Sequence, residues 1–120
     1  MINFFKGRIK SFGYAFKGIF FLMGSEPNVF VHMAATIFIT IAGFYFNISG
    51  TEWIVQILTI TLVLSMEAIN TAVEKIADFV HPEHHKKIGI IKDIAAGAVL
   101  LTAIAAIIIA CIIYIPKFLS

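Results

Sequence analysis

Residues 53–80 read WIVQILTITLVLSMEAINTAVEKIADFV, an apolar run whose second half is interrupted by Glu67, Asn70, Thr71, Glu74 and Asp78. The spacing i, i+3, i+4, i+7, i+11 puts these residues on one face of a helix. Ile69, Ala72, Val73, Ile76, Ala77 and Val80 cover the remaining surface, so the stripe belongs to a helix in an apolar environment. Ionisable side chains at membrane depth cost about 2.5 kcal/mol or more each and face a protein interior or a site rather than lipid.

Working outward, the chain of 120 residues is 60% hydrophobic and 13% charged, with a mean hydropathy of +0.97. These values exclude an ordinary soluble domain and predict an all-α integral membrane protein. Apolar stretches run from Val29 to Phe46, from Trp53 to Val80 and from Ile94 to Ile115, each long enough for a span of ~20 residues with some latitude for tilt. The expected organisation is a single membrane domain over residues 1–120, with a surface helix near 4–23 and spans near 28–47, 53–80 and 92–116.

From Phe4 to Phe21, Phe5, Ile9, Phe12, Phe16, Ile19 and Phe20 alternate with Lys6, Arg8, Lys10 and Lys17, the pattern of an amphipathic helix lying on a membrane surface. Gly24 to Asn28 breaks that pattern, with Ser25 or Asn28 as a cap for the next helix and Pro27 in its first turn. The opening Met1-Ile2-Asn3-Phe4-Phe5-Lys6 lacks the apolar run of a secretory signal, so the mature chain is expected to start near Met1. Lys6, Arg8, Lys10 and Lys17 precede the first span, and Lys86, Lys87 and Lys92 lie between the second and third. The connection from Asn47 to Glu52 has no Lys or Arg. The distribution predicts a cytoplasmic N-terminus and a cytoplasmic second connection. Cys111, a lone cysteine in the third span, supports no disulfide framework and reads as packing. His32 reads as a satisfied core or interface histidine, and His81 to Lys87 as a solvated loop rather than a metal cluster. The small residues Ala95, Gly97 and Ala98 permit close approach of another helix.

A line of carboxylates with Glu26 at the membrane edge and Lys92 across a turn has the parts of phosphoryl transfer. Hard oxygens hold Mg²⁺, a cation offsets phosphate charge, and a spare carboxylate takes a hydroxyl proton. No G-x-x-x-x-G-K-[ST] or G-x-G-x-x-G occurs, so the usual nucleotide loops are excluded. Two other readings compete. Glu67, Glu74 and Asp78 could form a proton or cation relay, or the stripe could serve polar helix association in a structural subunit; for the single carboxylates the bland reading is an ion pair, with Lys75 neutralising Glu74 or reaching to the interface.

The segment Glu67-Ala68-Ile69-Asn70-Thr71-Ala72-Val73-Glu74, followed after a short loop by Lys92-Asp93-Ile94-Ala95-Ala96-Gly97-Ala98-Val99, resembles the prokaryotic diacylglycerol kinase family, which includes undecaprenol kinases. The likeness extends from Gly13-Tyr14-Ala15-Phe16-Lys17-Gly18 through Pro116. It implies a surface helix, three membrane helices and a homotrimer in the cytoplasmic (inner) membrane of a bacterium. It implies transfer of the ATP γ-phosphate to a membrane lipid hydroxyl, with Mg²⁺, ATP, lipid and other copies of the chain as partners and no nucleic acid. By position, Glu67 becomes the general base, Asn70 a polar residue essential to the site, and Glu26 and Glu74 the metal carboxylates that also meet ATP. Tyr14, Glu83, His84, His85, Lys92 and Asp93 fall at the nucleotide; Ser11, Phe12, Gly13, Tyr14, Ala15 and Phe16, with Glu67 and Ala96, fall on the lipid side. The family's N-terminal arginine aligns to Gly7, with Arg8 adjacent, and His84 replaces an aromatic residue. Lys92 to Val99 looks closer to the undecaprenol-using branch than to the diacylglycerol-using one.

Overall fold

Pro27, Asn47 and Ser49 mark where the chain changes direction, each for its own backbone reason. The computed structural model describes residues 1–120, the side chain of Ser25 excepted, and runs as α1 (Ile2–Ser25), α2 (Pro27–Tyr45), α3 (Gly50–Val80) and α4 (Lys86–Leu119). Helices α2, α3 and α4 are long and apolar enough to cross a membrane. At about 1.5 Å per residue, the 31 residues of α3 and 34 of α4 exceed the ~30 Å hydrocarbon core, so both helices carry their ends beyond it. The first turn of α4 is Lys86 and Lys87, polar residues ahead of the apolar stretch.

The break between α1 and α2 falls at Glu26, whose extended backbone (φ −130°, ψ 130°) is the conformation a residue preceding proline prefers. Glu26 therefore occupies the N-cap position of α2 without a side-chain cap bond, Pro27 opens the helix, and Asn28 lies inside its first turn rather than capping it. The alternative cap, the Ser25 side chain, lies outside the described residues. Asn47 takes a left-handed φ of 52°, which asparagine tolerates better than most residues. Ser49 then closes a reciprocal cap on α3: the Glu52 N–H donates to Ser49 Oγ (3.1 Å), and the Ser49 N–H donates to Glu52 Oε1 (2.9 Å).

At this end the helices are tied by side chains. Lys117 Nζ of α4 lies 3.0 Å from Glu52 Oε1. The Tyr114 hydroxyl donates to Gln56 Oε1 (2.6 Å), while Gln56 Nε2 donates to the Ile39 carbonyl of α2 (3.3 Å). Gln56 is buried, so this network satisfies an amide that would otherwise be costly in an apolar setting. Trp53 packs on Gly43 and stacks with Phe44 at 4.9 Å between ring centres.

The fold is open elsewhere. Helices α3 and α4 run against each other, whereas α2 leans away from α4 and leaves a groove of about 650 Å³ between His32, Thr36, Val63, Ala103, Ala106 and Ile113. The radius of gyration is 18.0 Å, against about 14 Å for a compact domain of this length. Large apolar side chains such as Phe38, Leu101 and Ile112 are exposed along the spans, surface that lipid or neighbouring helices cover.

Candidate active site

The polar stripe converges near the Val80 end of α3. Glu67, Asn70 and Thr71 are buried, at 3%, 7% and 5% exposure, while Glu74 is half-buried and Asp78 exposed. Helical spacing alone stacks these side chains along one face, and α2 closes the top of the stack by placing His32 Nε2 3.3 Å from Glu67 Oε2. One turn on, Asn70 Nδ2 donates to Glu74 Oε1 at 3.4 Å. Among the described residues, the arrangement leaves Asn70 Oδ1 and Thr71 Oγ1 buried without a hydrogen-bond partner. Buried polar atoms usually find a partner in protein or ordered water, so these two make this the least satisfied stretch of the stripe.

Asp78 lies outside this buried group. Its Oδ1 accepts from Lys92 Nζ of α4 at 2.5 Å, across the loop that joins the two helices. An exposed pair of this kind contributes about 0–1 kcal/mol, so Lys92 is held near the site at little cost to its exchange for another anion. Lys75 pairs with neither carboxylate among the described residues; its ammonium lies 5.2 Å from the centre of the Phe21 ring of α1. The reading in which Lys75 neutralises Glu74 is therefore corrected: the Lys75 side chain runs towards α1, and Asn70 is the neighbour of Glu74.

Glu26 is half-buried at the α1–α2 break, Glu83, His84 and Asp93 are exposed around the α3–α4 loop, and Ala96 is exposed on α4. The loop is ordered by its histidines. His81 Nδ1 donates to the Glu83 carbonyl (2.7 Å), and His85 Nδ1 accepts the Lys87 N–H (3.1 Å) as the cap of α4, leaving Nε2 as the ring nitrogen His85 has for a ligand. Ser11, Phe12, Gly13, Tyr14, Ala15 and Phe16 are exposed on α1, with Lys17 Nζ 5.8 Å from the centre of the Tyr14 ring. Of these, Ala15 borders a cleft between α1 and α3. Arg8 lies against Phe4, 5.3 Å from its ring centre, on the same exposed helix.

Among the described residues, no three His, Cys, Asp or Glu side chains come together as a metal cage. The donor chemistry nevertheless suits Mg²⁺. Glu74 offers a carboxylate, and Asn70, one turn before it, turns its amide nitrogen to Glu74 and keeps Oδ1 without a partner among the described residues; magnesium commonly takes only one or two carboxylates while substrate phosphates and water complete its octahedron. The sequence missed the partner of His32. An ionisable residue inside a span is the signal that could have found it, because such a residue seldom lacks a neighbour of its own kind.

The class defined by these features is a helical membrane protein with a buried carboxylate–amide site at one end of its long central helix. Residues 13–114 match the family described as prokaryotic diacylglycerol kinase, and the chain belongs to that family. It is 38% identical over 108 residues to an undecaprenol kinase of Bacillus subtilis, covering 90% of this chain and 88% of the relative. It is 35% identical over 111 residues to a diacylglycerol kinase of Synechocystis, covering 92% of this chain and 63% of that protein. To the diacylglycerol kinase of Escherichia coli it is 28% identical over 110 residues, covering 92% and 90%. Membership places the chain among lipid kinases, membrane enzymes with a lipid and a nucleotide as substrates. A cation relay through Glu67, Glu74 and Asp78 is not favoured, and Asp78 is an exposed partner of Lys92 rather than a link in a buried chain.

Proposed function

We propose that the protein transfers the γ-phosphate of ATP to the primary hydroxyl of a membrane lipid, with undecaprenol the favoured acceptor and diacylglycerol the other. The observation that carries this reading is the burial of Glu67 beside His32, one turn from Asn70 and two turns from Glu74. Glu67 takes the proton of the lipid hydroxyl as its oxygen bonds to the γ-phosphorus, and the bond from that phosphorus to the β–γ bridging oxygen breaks to release ADP. Glu26 and Glu74, with the Asn70 amide, would hold Mg²⁺, which would offset charge on the phosphate oxygens. Lys92 exchanges Asp78 for phosphate, and Tyr14, Glu83, His84, His85 and Asp93 border the nucleotide.

The lean towards undecaprenol rests on the segment from Lys92 to Val99 and on 38% identity to the undecaprenol kinase, against 35% and 28% to two diacylglycerol kinases. Ser11 to Phe16 and Ala96 face the lipid, with α1 as an amphipathic helix on the cytoplasmic surface of a bacterial inner membrane. Lysines at the N-terminal side and in the α3–α4 connection support that orientation. The open groove, the extended shape and the exposed apolar helix faces support a homotrimer, in which neighbouring copies supply walls that one chain lacks. The test offers undecaprenol and dioleoylglycerol separately, with labelled ATP, to purified protein in mixed micelles with and without Mg²⁺. Label should enter the lipid only with Mg²⁺, and faster for undecaprenol; no transfer to either lipid would refute the proposal.

A further inference from the structure

The connection from His81 to His85, between α3 and α4, is tied at both ends by imidazole rings. His81 donates from Nδ1 to the Glu83 carbonyl at 2.7 Å, and its own N–H completes the last turn of α3 by donating to the Ala77 carbonyl at 2.9 Å. At the other end His85 takes the N-cap of α4 with an extended backbone (φ −141°, ψ 140°), and its Nδ1 accepts the Lys87 N–H at 3.1 Å. The two rings meet edge to face, 5.2 Å between centres. The His84 ring reaches back over the first turn of α4, its Cε1 4.0 Å from where a Cβ on Gly89 would stand. Helices usually recruit Ser, Thr, Asp or Asn for the N-cap, and α3 follows that rule with Ser49; α4 uses histidine instead.

The two kinds of cap differ in chemistry. A serine hydroxyl keeps its lone pairs at any pH near neutrality, whereas Nδ1 of an imidazole accepts a hydrogen bond only while the ring is neutral with its proton on Nε2; the imidazolium donates from both nitrogens and accepts at neither. His81 donates from Nδ1 in either state and so keeps its bond on protonation. His85 loses its bond. The charge it gains stands at the positive end of a 34-residue helix, beside Lys86 and Lys87 of the first turn and against the His81 ring. The other titratable groups of the connection are Glu83 and His84, and Asp78, on the last turns of α3, is engaged with Lys92. His85 is exposed, so its ring exchanges protons with the aqueous phase directly. We propose that this connection is a pH-sensitive latch: protonation of His85 uncaps α4 and loosens the loop, so that nucleotide binding weakens as the aqueous phase on that side of the membrane turns acid. The capping half of the inference stands on the geometry; the nucleotide half rests on the lipid-kinase reading above, which sets Glu83, His84 and His85 beside ATP. Imidazoles change charge between about pH 5 and 8, and the latch works within that window, with the cap present at its alkaline end and lost towards its acid end.

The test follows amide hydrogen exchange of the full chain in detergent micelles, without nucleotide, at about pH 8 and about pH 5.5, each rate divided by that of an unfolded peptide at the same pH. Wild type, His85→Asn and His84→Gln are compared. Protection of the amides of residues 87–90 in wild type should fall roughly 3- to 30-fold at the acid pH, the scale of one N-cap, while that of residues 55–65 in α3 holds. His85→Asn should keep its protection, because its side-chain oxygen accepts at both pH values, and His84→Gln should show the wild-type fall. Kinetics in mixed micelles at the same two pH values form the second arm: the KM for ATP should rise more in wild type than in His85→Asn, since protonation of ATP itself is common to both chains and cancels in the ratio. Equal protection in wild type at both pH values overturns the latch. A fall that persists in His85→Asn, or one that vanishes in His84→Gln, assigns the titration to another group and overturns it as well. A fall in protection with the same change of KM in wild type and His85→Asn overturns the nucleotide half. A wild type that phosphorylates neither undecaprenol nor dioleoylglycerol refutes the lipid-kinase reading and the nucleotide half with it, while the exchange arm decides the cap.

Discussion

Replacing Glu67 by Gln keeps the shape of the side chain and removes its capacity to take a proton. The site offers an unusually clean setting for that change: the residue is 3% exposed, so the amide fills the same space, opens no cavity and leaves a neutral group where a carboxylate was buried. Removing a general base lowers turnover about 10²–10⁴-fold, or roughly 2.7–5.4 kcal/mol of barrier. The contact with His32 adds a second measurement. His32 Nε2 and Glu67 Oε2 lie 3.3 Å apart, with side chains 22% and 4% exposed, so the pair is screened on one side only. Residues in such contact couple by about 0.5–3 kcal/mol, whereas independent residues add to within ~0.5 kcal/mol. Kinetics of Glu67→Gln, His32→Leu and the double variant, with lipid and ATP each saturating in turn, give both numbers. Expected are a kcat loss of about 10² or more in Glu67→Gln with little change in the KM for ATP, and non-additivity in the double variant. Turnover of Glu67→Gln within about threefold of wild type would remove Glu67 from proton transfer, because no effect of packing could hide a loss of this expected size.

Changing Glu26 or Glu74 to Gln should raise the Mg²⁺ concentration for half-maximal activity, read by titration at fixed ATP; an unchanged requirement in both variants refutes the metal assignment. Mixtures of Glu67→Gln and Glu74→Gln chains should regain part of the activity if the protein assembles and the two residues serve one site from different copies, and no recovery after proven exchange of chains would confine each site to one copy. In a Cys111→Ala background, Thr51→Cys should react with an impermeant thiol reagent added to intact cells and Glu83→Cys should not; the reverse pattern would put the site away from cytoplasmic ATP. Thr51 is the better probe of its connection because Ser49 is committed to the cap of α3. At Gly43, an added Cβ would stand 2.6 Å from Trp53 Cη2 and 2.8 Å from Cζ2, so Gly43→Ala should lower stability by about 1–3 kcal/mol and shift the fluorescence of the lone tryptophan. Thermal unfolding in detergent checks it.

The long helices were legible because bilayer thickness sets a length that apolar residues alone reveal, and the stripe from Glu67 to Asp78 was legible because helical periodicity needs no partner to be seen. What closes the site was not. His32 and Glu67 lie 35 positions apart in sequence and Gln56 and Tyr114 lie 58 apart, and nothing local to either residue names the other. Thr71 was visible as a member of the stripe, but its distinction lies in a bond it fails to make, which only coordinates reveal. The cap of α2 went to Glu26 because the steric effect of Pro27 on the residue before it outweighed the capping preference of Asn28.

The two ends of α3 are built for different tasks. Towards Gly50, hydrogen bonds through Gln56 and Tyr114, the Glu52–Lys117 pair and the Trp53–Gly43 contact bind α2, α3 and α4 together. Towards Val80, the buried side chains of Glu67, Asn70 and Thr71 meet a single residue of α2, a loosely held α1 and an ion pair that exchanges readily. A substrate that cannot leave the bilayer must enter sideways, between helices. A chain locked equally along its length would have to break polar bonds in an apolar medium to admit it. Fixing one end and leaving the other lightly packed lets the neighbours of the stripe move while the spacing along α3, which sets the distances among Glu67, Asn70 and Glu74, stays unchanged. The rigid helix then supplies the positioning on which phosphoryl transfer depends, and the loose neighbour supplies the access.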